Sequence, residues 1–379
     1  MIKTVINGNI FDGEALLDGY ALIIDDDTIT DLIPQASLPK DLPIGLDLKG
    51  QTLAPGFIDL QVNGGGGVMF NSAPSVESLK IIADAHRQYG STGIYPTLIT
   101  DSFDAMRKAI AAVTQAIDEG VDGILGIHLE GPFLNPERKG AHAQEKFCII
   151  DDEGFDIVTS LSKGKTLITI APELTSPSMI SKIVEAGVVV SAGHSSANFD
   201  ECELALNAGL SGFTHLYNAM TPLQSRAPGM VGAALANENS WFGIIADGFH
   251  MHPAAFKVAV SAKQKGGAIL VTDAMSTVGS KSKSFVLDGQ TIHAINGRCT
   301  NSEGSLAGSD LNMNAAVKNA IKFAHLDWTE AVRMASVYPA IAMGIDNEMG
   351  YLKAGYKANA VLLDQHLNVA GTIVNGKFT

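Results

Sequence analysis

Alternating apolar and polar positions mark both ends of the chain, while strand–helix alternation marks its middle. KTVING, ALIIDDDTITDLIP and LDLKGQTLA near the start read as short strands, with Asn7-Gly8 and Asp12-Gly13 as turn dipeptides. ANAVLLDQ and VAGTIVNGK at the far end read the same way around Asn375-Gly376. Two β segments at opposite chain ends can pair, so residues 1–53 and 347–379 are expected to form one small β-sandwich domain.

Between them, over residues 54–346, eight apolar runs alternate with helical stretches. The runs are FIDLQV (57–62), GIYPTLI (93–99), GILGIHLE (123–130), TLITIAPE (166–173), VVVSAG (188–193), GFTHL (212–216), FGIIAD (242–247) and AILVTD (268–273). SVESLKIIADAHRQYG and SMISKIVEAG carry helical spacing, and Gly187 suits the position just past a helix end. Eight such units predict an α/β fold, a (β/α)8 TIM barrel. In that architecture active-site residues sit at the C-terminal ends of the strands.

Composition agrees with a large core: hydrophobic residues are 46% and charged residues 17% of 379. A net charge of −14 argues against a nucleic-acid partner, which needs a positive footprint. Cys148, Cys202 and Cys299 lie far apart, without a C-x-x-C pattern, as expected of a reduced cytoplasmic protein. The first residues lack the apolar stretch of a signal peptide, and no run approaches the roughly 18 residues that span a membrane.

Three strand ends carry metal-competent side chains: Glu130 in GIHLEGPF, His194 in VVVSAGHSS and His215 in GFTHLYNAM. Two histidines and a glutamate make an open catalytic metal site, with a fourth position left for water or substrate. Asp273 closes GAILVTD, where a carboxylate can act as general base. Singly, each has a plainer reading: Glu130 as a paired structural acid, the histidines as core residues, Asp273 as a helix cap. Jointly, at separate barrel-strand ends, the metal reading is stronger. Gln61 also lies at a strand end. His128 shares a strand face with Glu130, where a fourth ligand and a residue packed behind the site are both open readings, packing being the stronger. His142 in RKGAH and His250 in ADGFHMH are loop histidines near strand ends, whereas His252 is expected to be solvated. Gly64 to Gly67 lack a following Gly-Lys-Ser/Thr and are read as a flexible strand exit. Arg226 in QSRAPG follows the His215 strand by one short loop and suits an anionic substrate, although a surface arginine is the plainer reading.

Ten strings carry a resemblance: APGFIDLQVNGGGG, PTLIT, LGIHLEGPFLNPERKGAH, APE, VVSAGHS, THLYNAM, APGMVGAAL, GIIADGFH, LVTDA and LAGS. The chain resembles the amidohydrolase superfamily, and within it the family of N-acetylglucosamine-6-phosphate deacetylases. The terminal segments, with GYKANAVLLD and TIVNGK, are similar to that family's flanking domain. The resemblance implies that Glu130, His194 and His215 hold a divalent metal and that Asp273 is the acid/base. It implies His142 at the acetyl carbonyl or sugar, and Leu306, Ala307 and Gly308 at the acetyl end. Ala141, Asn218, Ala219 through its backbone, Arg226, Asp247 and His250 would serve the rest of the substrate. The superfamily usually opens with H-x-H on the first strand; here Gln61-Val62-Asn63 stands there, removing two ligands of a second metal. The implied cofactor is one divalent metal per subunit, Zn²⁺ first, with Fe²⁺, Co²⁺ and Mn²⁺ suited to the same donors. The implied partners are a phosphorylated amino sugar and a second copy of the chain, with Arg226 serving the phosphate either in its own site or across the dimer. The implied reaction releases acetate and glucosamine 6-phosphate. Two rival readings are another superfamily deacylase or deaminase and a barrel that has lost its chemistry.

Overall fold

The computed structural model of the protein describes residues 2–287, 289–301 and 304–379. Eight strands form one parallel sheet, numbered here β1 (Phe57–Val62), β2 (Ser91–Ile99), β3 (Gly126–Glu130), β4 (Lys165–Ile170), β5 (Val189–Ala192), β6 (Gly212–Phe213), β7 (Trp241–Ile245) and β8 (Ala268–Val271). Each pairs in parallel with the next in sequence. The sheet closes just beyond its strand ends, where the Asp273 N–H donates to the Gln61 carbonyl at 2.9 Å and Val62 bridges Ala274. Both faces of such a sheet are covered, so its strands need continuous apolar runs, and β1, β2, β3 and β7 are buried throughout.

Helices α1 (Val76–Arg87), α2 (Phe103–Asp118), α3 (Asp152–Val158), α4 (Pro177–Glu185), α5 (Phe199–Asn207), α6 (Gly229–Ala236), α7 (Pro253–Ala262) and α8 (Met313–Ala324) follow the eight strands in turn. Side chains at Ser75, Ser102, Asp151, Ser176, Asn198 and Asn312 accept hydrogen bonds from first-turn N–H groups and fix where six of these helices begin. Gly187 takes φ +87° just past α4, as its place in the sequence predicts. None of the helices among the described residues is long and apolar enough to cross a membrane.

The chain ends meet as expected. A four-stranded sheet (Ile2–Ile6, Tyr20–Asp25, Thr28–Pro34, Ile44–Asp47) packs against a six-stranded sheet that joins Asn9–Phe11, Leu16–Asp18 and Thr52–Pro55 to Ala360–Leu363, Val369–Val374 and Lys377–Phe378. Leu22, Ile24 and Ile29 from one sheet, with Ile10, Leu53, Leu362 and Ile373 from the other, form its core. The strand Thr52–Pro55 runs across the boundary expected at residue 53, so the sandwich continues directly into the barrel.

A further antiparallel sheet, Ser284–Leu287, Gln290–Ile295, Arg298–Thr300 and Leu306–Ser309, was not expected. It lies between β8 and α8 in sequence, and its small core includes Phe285, Ile292, Cys299, Met275 and Ile99. Its strands alternate exposed and buried positions, and the sequence carries the turn dipeptides Asp288-Gly289 and Asn296-Gly297, so a hairpin signal was present in this segment.

Candidate active site

The candidate side chains sit at a repeated place in the fold. Glu130 is the last residue of β3, while His194, His215 and Asp273 each lie two residues beyond β5, β6 and β8. These last three hold left-handed backbone, with φ of +47°, +37° and +52°. Such conformations cost a non-glycine residue roughly 1–3 kcal/mol and persist only where neighbours over-determine them. Here the neighbours are other segments of the fold: the His194 carbonyl accepts from the N–H of Asn135 in the loop after β3 at 2.9 Å, Leu216 N–H donates to the carbonyl of Gly243 within β7 at 2.8 Å, and Ser309 N–H donates to the Asp273 carbonyl at 2.9 Å.

Glu130, His194 and His215 point one donor atom each at a common space, all within 4.8 Å of one another. His215 Nε2 is 2.9 Å from Glu130 Oε1, His194 Nε2 is 3.3 Å from the same oxygen, and the two Nε2 atoms are 3.0 Å apart. Donors about 2.1 Å from a shared ion at tetrahedral angles would stand roughly 3.4 Å apart. The donor set therefore fits a divalent cation. His194 Nδ1 meets the Arg138 carbonyl at 2.8 Å, which puts its proton on Nδ1 and leaves Nε2 free as a ligand.

Asp273 lies beside this set and is buried. Its Oδ1 accepts from Asn63 Nδ2 at 2.6 Å and from Gln61 Nε2 at 3.2 Å. Gln61 Nε2 also donates to Glu130 Oε2 at 3.1 Å, so one amide bridges the candidate ligand carboxylate and the candidate base. Burial, reinforced by the charge on Glu130, pushes the Asp273 carboxyl up to about 6. Burial also opposes ionisation of Glu130, but hydrogen bonds with His194 and His215 outweigh it and hold that carboxyl well below its ordinary range. Burial, then the neighbouring His194, drives His142 down to about 3, so its ring is neutral.

A cavity of about 150 Å³ collects most of the expected residues: Glu130, Ala141, His142, His194, His215, Asn218, Ala219, His250, Asp273, Leu306 and Gly308. Ile99, Gly140 and Met275, which sequence reasoning did not single out, complete its wall. Asp247 stands behind, its Oδ2 2.7 Å from His250 Nδ1, and so orients that ring. Ala307 lines an adjoining cavity of about 730 Å³ under the 284–309 sheet. His128 packs away from the donor set, between the hydroxyls of Thr97 (3.3 Å) and Thr169 (2.8 Å). Arg226 is exposed on the 221–229 loop and lines a separate surface cavity with Asn198, Phe199 and Asp200, outside the cavity that holds the donor set.

Three buried or half-buried residues that received no role from the sequence support the site. Asp59 bonds Thr272, next to Asp273. Glu173, in the string APE, accepts from the Ser195 hydroxyl at 2.5 Å and the Ser196 N–H at 2.6 Å, just after His194. Thr100, in the string PTLIT, touches His142. Thr100 and Glu173 are polar residues following a buried strand and Asp59 is a charged residue inside one, but nothing in either signal names the partner.

A (β/α)8 barrel with Glu–His–His donors and an adjacent carboxylate at its strand C-terminal ends is a hydrolase of the divalent-metal class. The chain belongs to the amidohydrolase family, whose model matches residues 52–379, and the NagA composite domain matches residues 4–53. An N-acetylgalactosamine-6-phosphate deacetylase from Shewanella sp. strain ANA-3 is 43% identical over 331 residues, covering 87% of this chain and 84% of its own. An N-acetylglucosamine-6-phosphate deacetylase from Haemophilus influenzae is 36% identical over 100% of this chain and 99% of its own. The crystal structure of N-acetylglucosamine-6-phosphate deacetylase from Pasteurella multocida superposes with a TM-score of 0.96 at 36% identity, covering 100% of both chains.

Proposed function

We propose that this hydrolase removes the acetyl group of N-acetylglucosamine 6-phosphate, yielding glucosamine 6-phosphate and acetate. The observation that carries the reading is the convergence of Glu130, His194 and His215 beside Asp273, in one cavity with His142 and His250. A divalent cation held by Glu130, His194 and His215 would supply Lewis acidity, making water nucleophilic near neutral pH and polarising the acetyl carbonyl. Asp273 accepts the proton of the attacking water on its carboxylate and then delivers it to the departing amine nitrogen. Its raised proton affinity suits both steps. His142 donates Nε2–H to the carbonyl oxygen as negative charge builds there. Asn218, the backbone at Ala219 and His250 hold the sugar phosphate, and Leu306 with Gly308 bounds the acetyl end.

The amides of Gln61 and Asn63 favour one cation per subunit, with Zn²⁺ first among the metals these donors suit. Elemental analysis should give a ratio near one, and a ratio near two with both ions needed for turnover would refute this. Arg226, exposed and away from its own cavity, fits a homodimer in which it reaches the partner's substrate phosphate. Three free cysteines suit a reducing cytoplasm.

The 43% identity to a galactosamine-type deacetylase favours a second reading, in which the 4-epimer is the better substrate. Acetate release from both 6-phosphates and from unphosphorylated N-acetylglucosamine, with and without chelator, tests both readings. Chelator-insensitive release, or none from either phosphate, would defeat them together.

A further inference from the structure

Immediately past β2, Thr100 is buried beneath the His142 ring. Its hydroxyl is 2.8 Å from His142 Nδ1, and its backbone N–H donates to the same nitrogen at 3.4 Å. A backbone N–H can only donate. Together with the hydroxyl at 2.8 Å, which can donate to the same atom, the geometry favours a lone pair on Nδ1 and the ring proton on Nε2. The hydroxyl is then a second donor to Nδ1. Its other acceptor within reach, the Glu130 carbonyl, is 3.5 Å away, too long to compete. The space for this contact is reserved in the sequence. Gly131 has φ +94°, and a β-carbon there would collide with the Thr100 hydroxyl. The Gly-Pro turn of GIHLEGPF thus has a second use besides ending β3.

We propose that Thr100 is a positioning residue, holding His142 in the tautomer and orientation whose Nε2–H meets the acyl carbonyl oxygen. The proposal rests on the role given to His142 above. With Nδ1 protonated instead, Nε2 would present a lone pair to a developing oxyanion, and stabilisation would turn into repulsion. A threonine at a buried strand end is more often only a satisfied polar group, but this one has both its donors on a single ring nitrogen of the site.

The test combines Thr100→Val, Thr100→Ser and His142→Ala, with the Thr100→Val/His142→Ala double variant, all assayed for kcat, KM and bound metal. Thr100→Val keeps the backbone donor and the volume but loses the hydroxyl. Its kcat should fall roughly ten- to hundredfold, the worth of one buried hydrogen bond, with KM and metal content little changed. Thr100→Ser should stay near wild type. In the His142→Ala background, Thr100→Val should add less than about twofold, because a residue acting through another has nothing left to act through. Equal losses in both backgrounds, or Thr100→Ser failing as Thr100→Val does, would overturn the proposal while a large loss in His142→Ala leaves the histidine's role intact. A wild-type rate in His142→Ala would refute the histidine's role and Thr100's with it. Nitrogen-15 shifts of the His142 ring in the wild-type protein give a reading independent of how the variants fold: an unprotonated Nδ1 supports the proposal, and a protonated Nδ1 overturns it.

Discussion

Replacing Asp59 with asparagine should remove a pH-dependent cost at the barrel seam. Asp59 is fully buried on β1. Its Oδ2 accepts from the Thr272 hydroxyl at 2.6 Å, and its Oδ1 from the N–H groups of Gln61 and Thr272 at 3.2 Å each. Burial outweighs these three donors and pushes the carboxyl up to about 7, with the charge on Asp273 adding to the effect. In the unfolded chain an aspartate titrates near 3.9. As pH rises, the unfolded chain therefore releases this proton first. The group's contribution is most favourable below about pH 4, erodes between about 4 and 7, and is level above. The whole cost is about 4 kcal/mol, of which somewhat more than half is exerted between pH 5 and pH 8. A chain of 379 residues unfolds with an entropy of about 0.8 kcal/mol/K, so the effect on Tm is about 3 °C. Asparagine mimics the protonated acid: its oxygen can accept from both N–H groups and its amide can donate to Thr272. Thermal melts of chelator-treated wild type and Asp59→Asn at pH 5 and pH 8 should show the variant gaining about 3 °C relative to wild type at the higher pH. An identical Tm difference at both values would mean that Asp59 is already ionised in the fold at pH 5, and the burial argument would fail.

Asp273→Asn should retain metal, since its three ligands are untouched, while kcat falls about 10²–10⁴-fold in the acetate-release assay; a loss under tenfold would move proton transfer to another group. Glu173→Gln should weaken metal affinity about 10- to 100-fold in chelator competition, because Glu173 also accepts from Asn135 Nδ2 at 2.9 Å and so ties the His194 segment to the loop carrying His142; unchanged affinity would confine it to loop packing. Arg226→Ala should lower kcat/KM about ten- to a hundredfold on the 6-phosphate and far less on the unphosphorylated sugar, and mixing it with Asp273→Asn subunits should restore activity if the arginine serves its neighbour. Equal losses on both sugars would make Arg226 structural.

Local pattern was enough for the architecture. Eight apolar runs separated by helical spacing call for a parallel sheet covered on both faces, and their number suits a closed barrel. The pairing of the chain ends followed from matching alternation and Asn-Gly turns, and Glu130, His194, His215 and Asp273 were legible because a barrel exposes its strand C-terminal ends to one cavity. Less was legible where contacts join residues far apart in sequence. The Gln61 amide bridges Glu130 and Asp273, 69 and 212 positions away, and no local signal encodes that. Thr100 and Glu173 looked like ordinary polar residues after strands until the fold brought His142 and Ser195 against them. The 284–309 sheet had a local signal in Asp288-Gly289, Asn296-Gly297 and its alternation; what only the fold decided is that the inner face, Phe285, Ile292 and Cys299, packs on Met275 and Ile99. Arg226 was one short loop from a metal ligand in sequence, yet the direction of that loop put it outside its own cavity. Residue type and periodicity determined which elements form and which side chains carry chemistry; long-range closure of the barrel decided which of them meet, since a hydrogen bond between distant segments leaves no periodic trace in either.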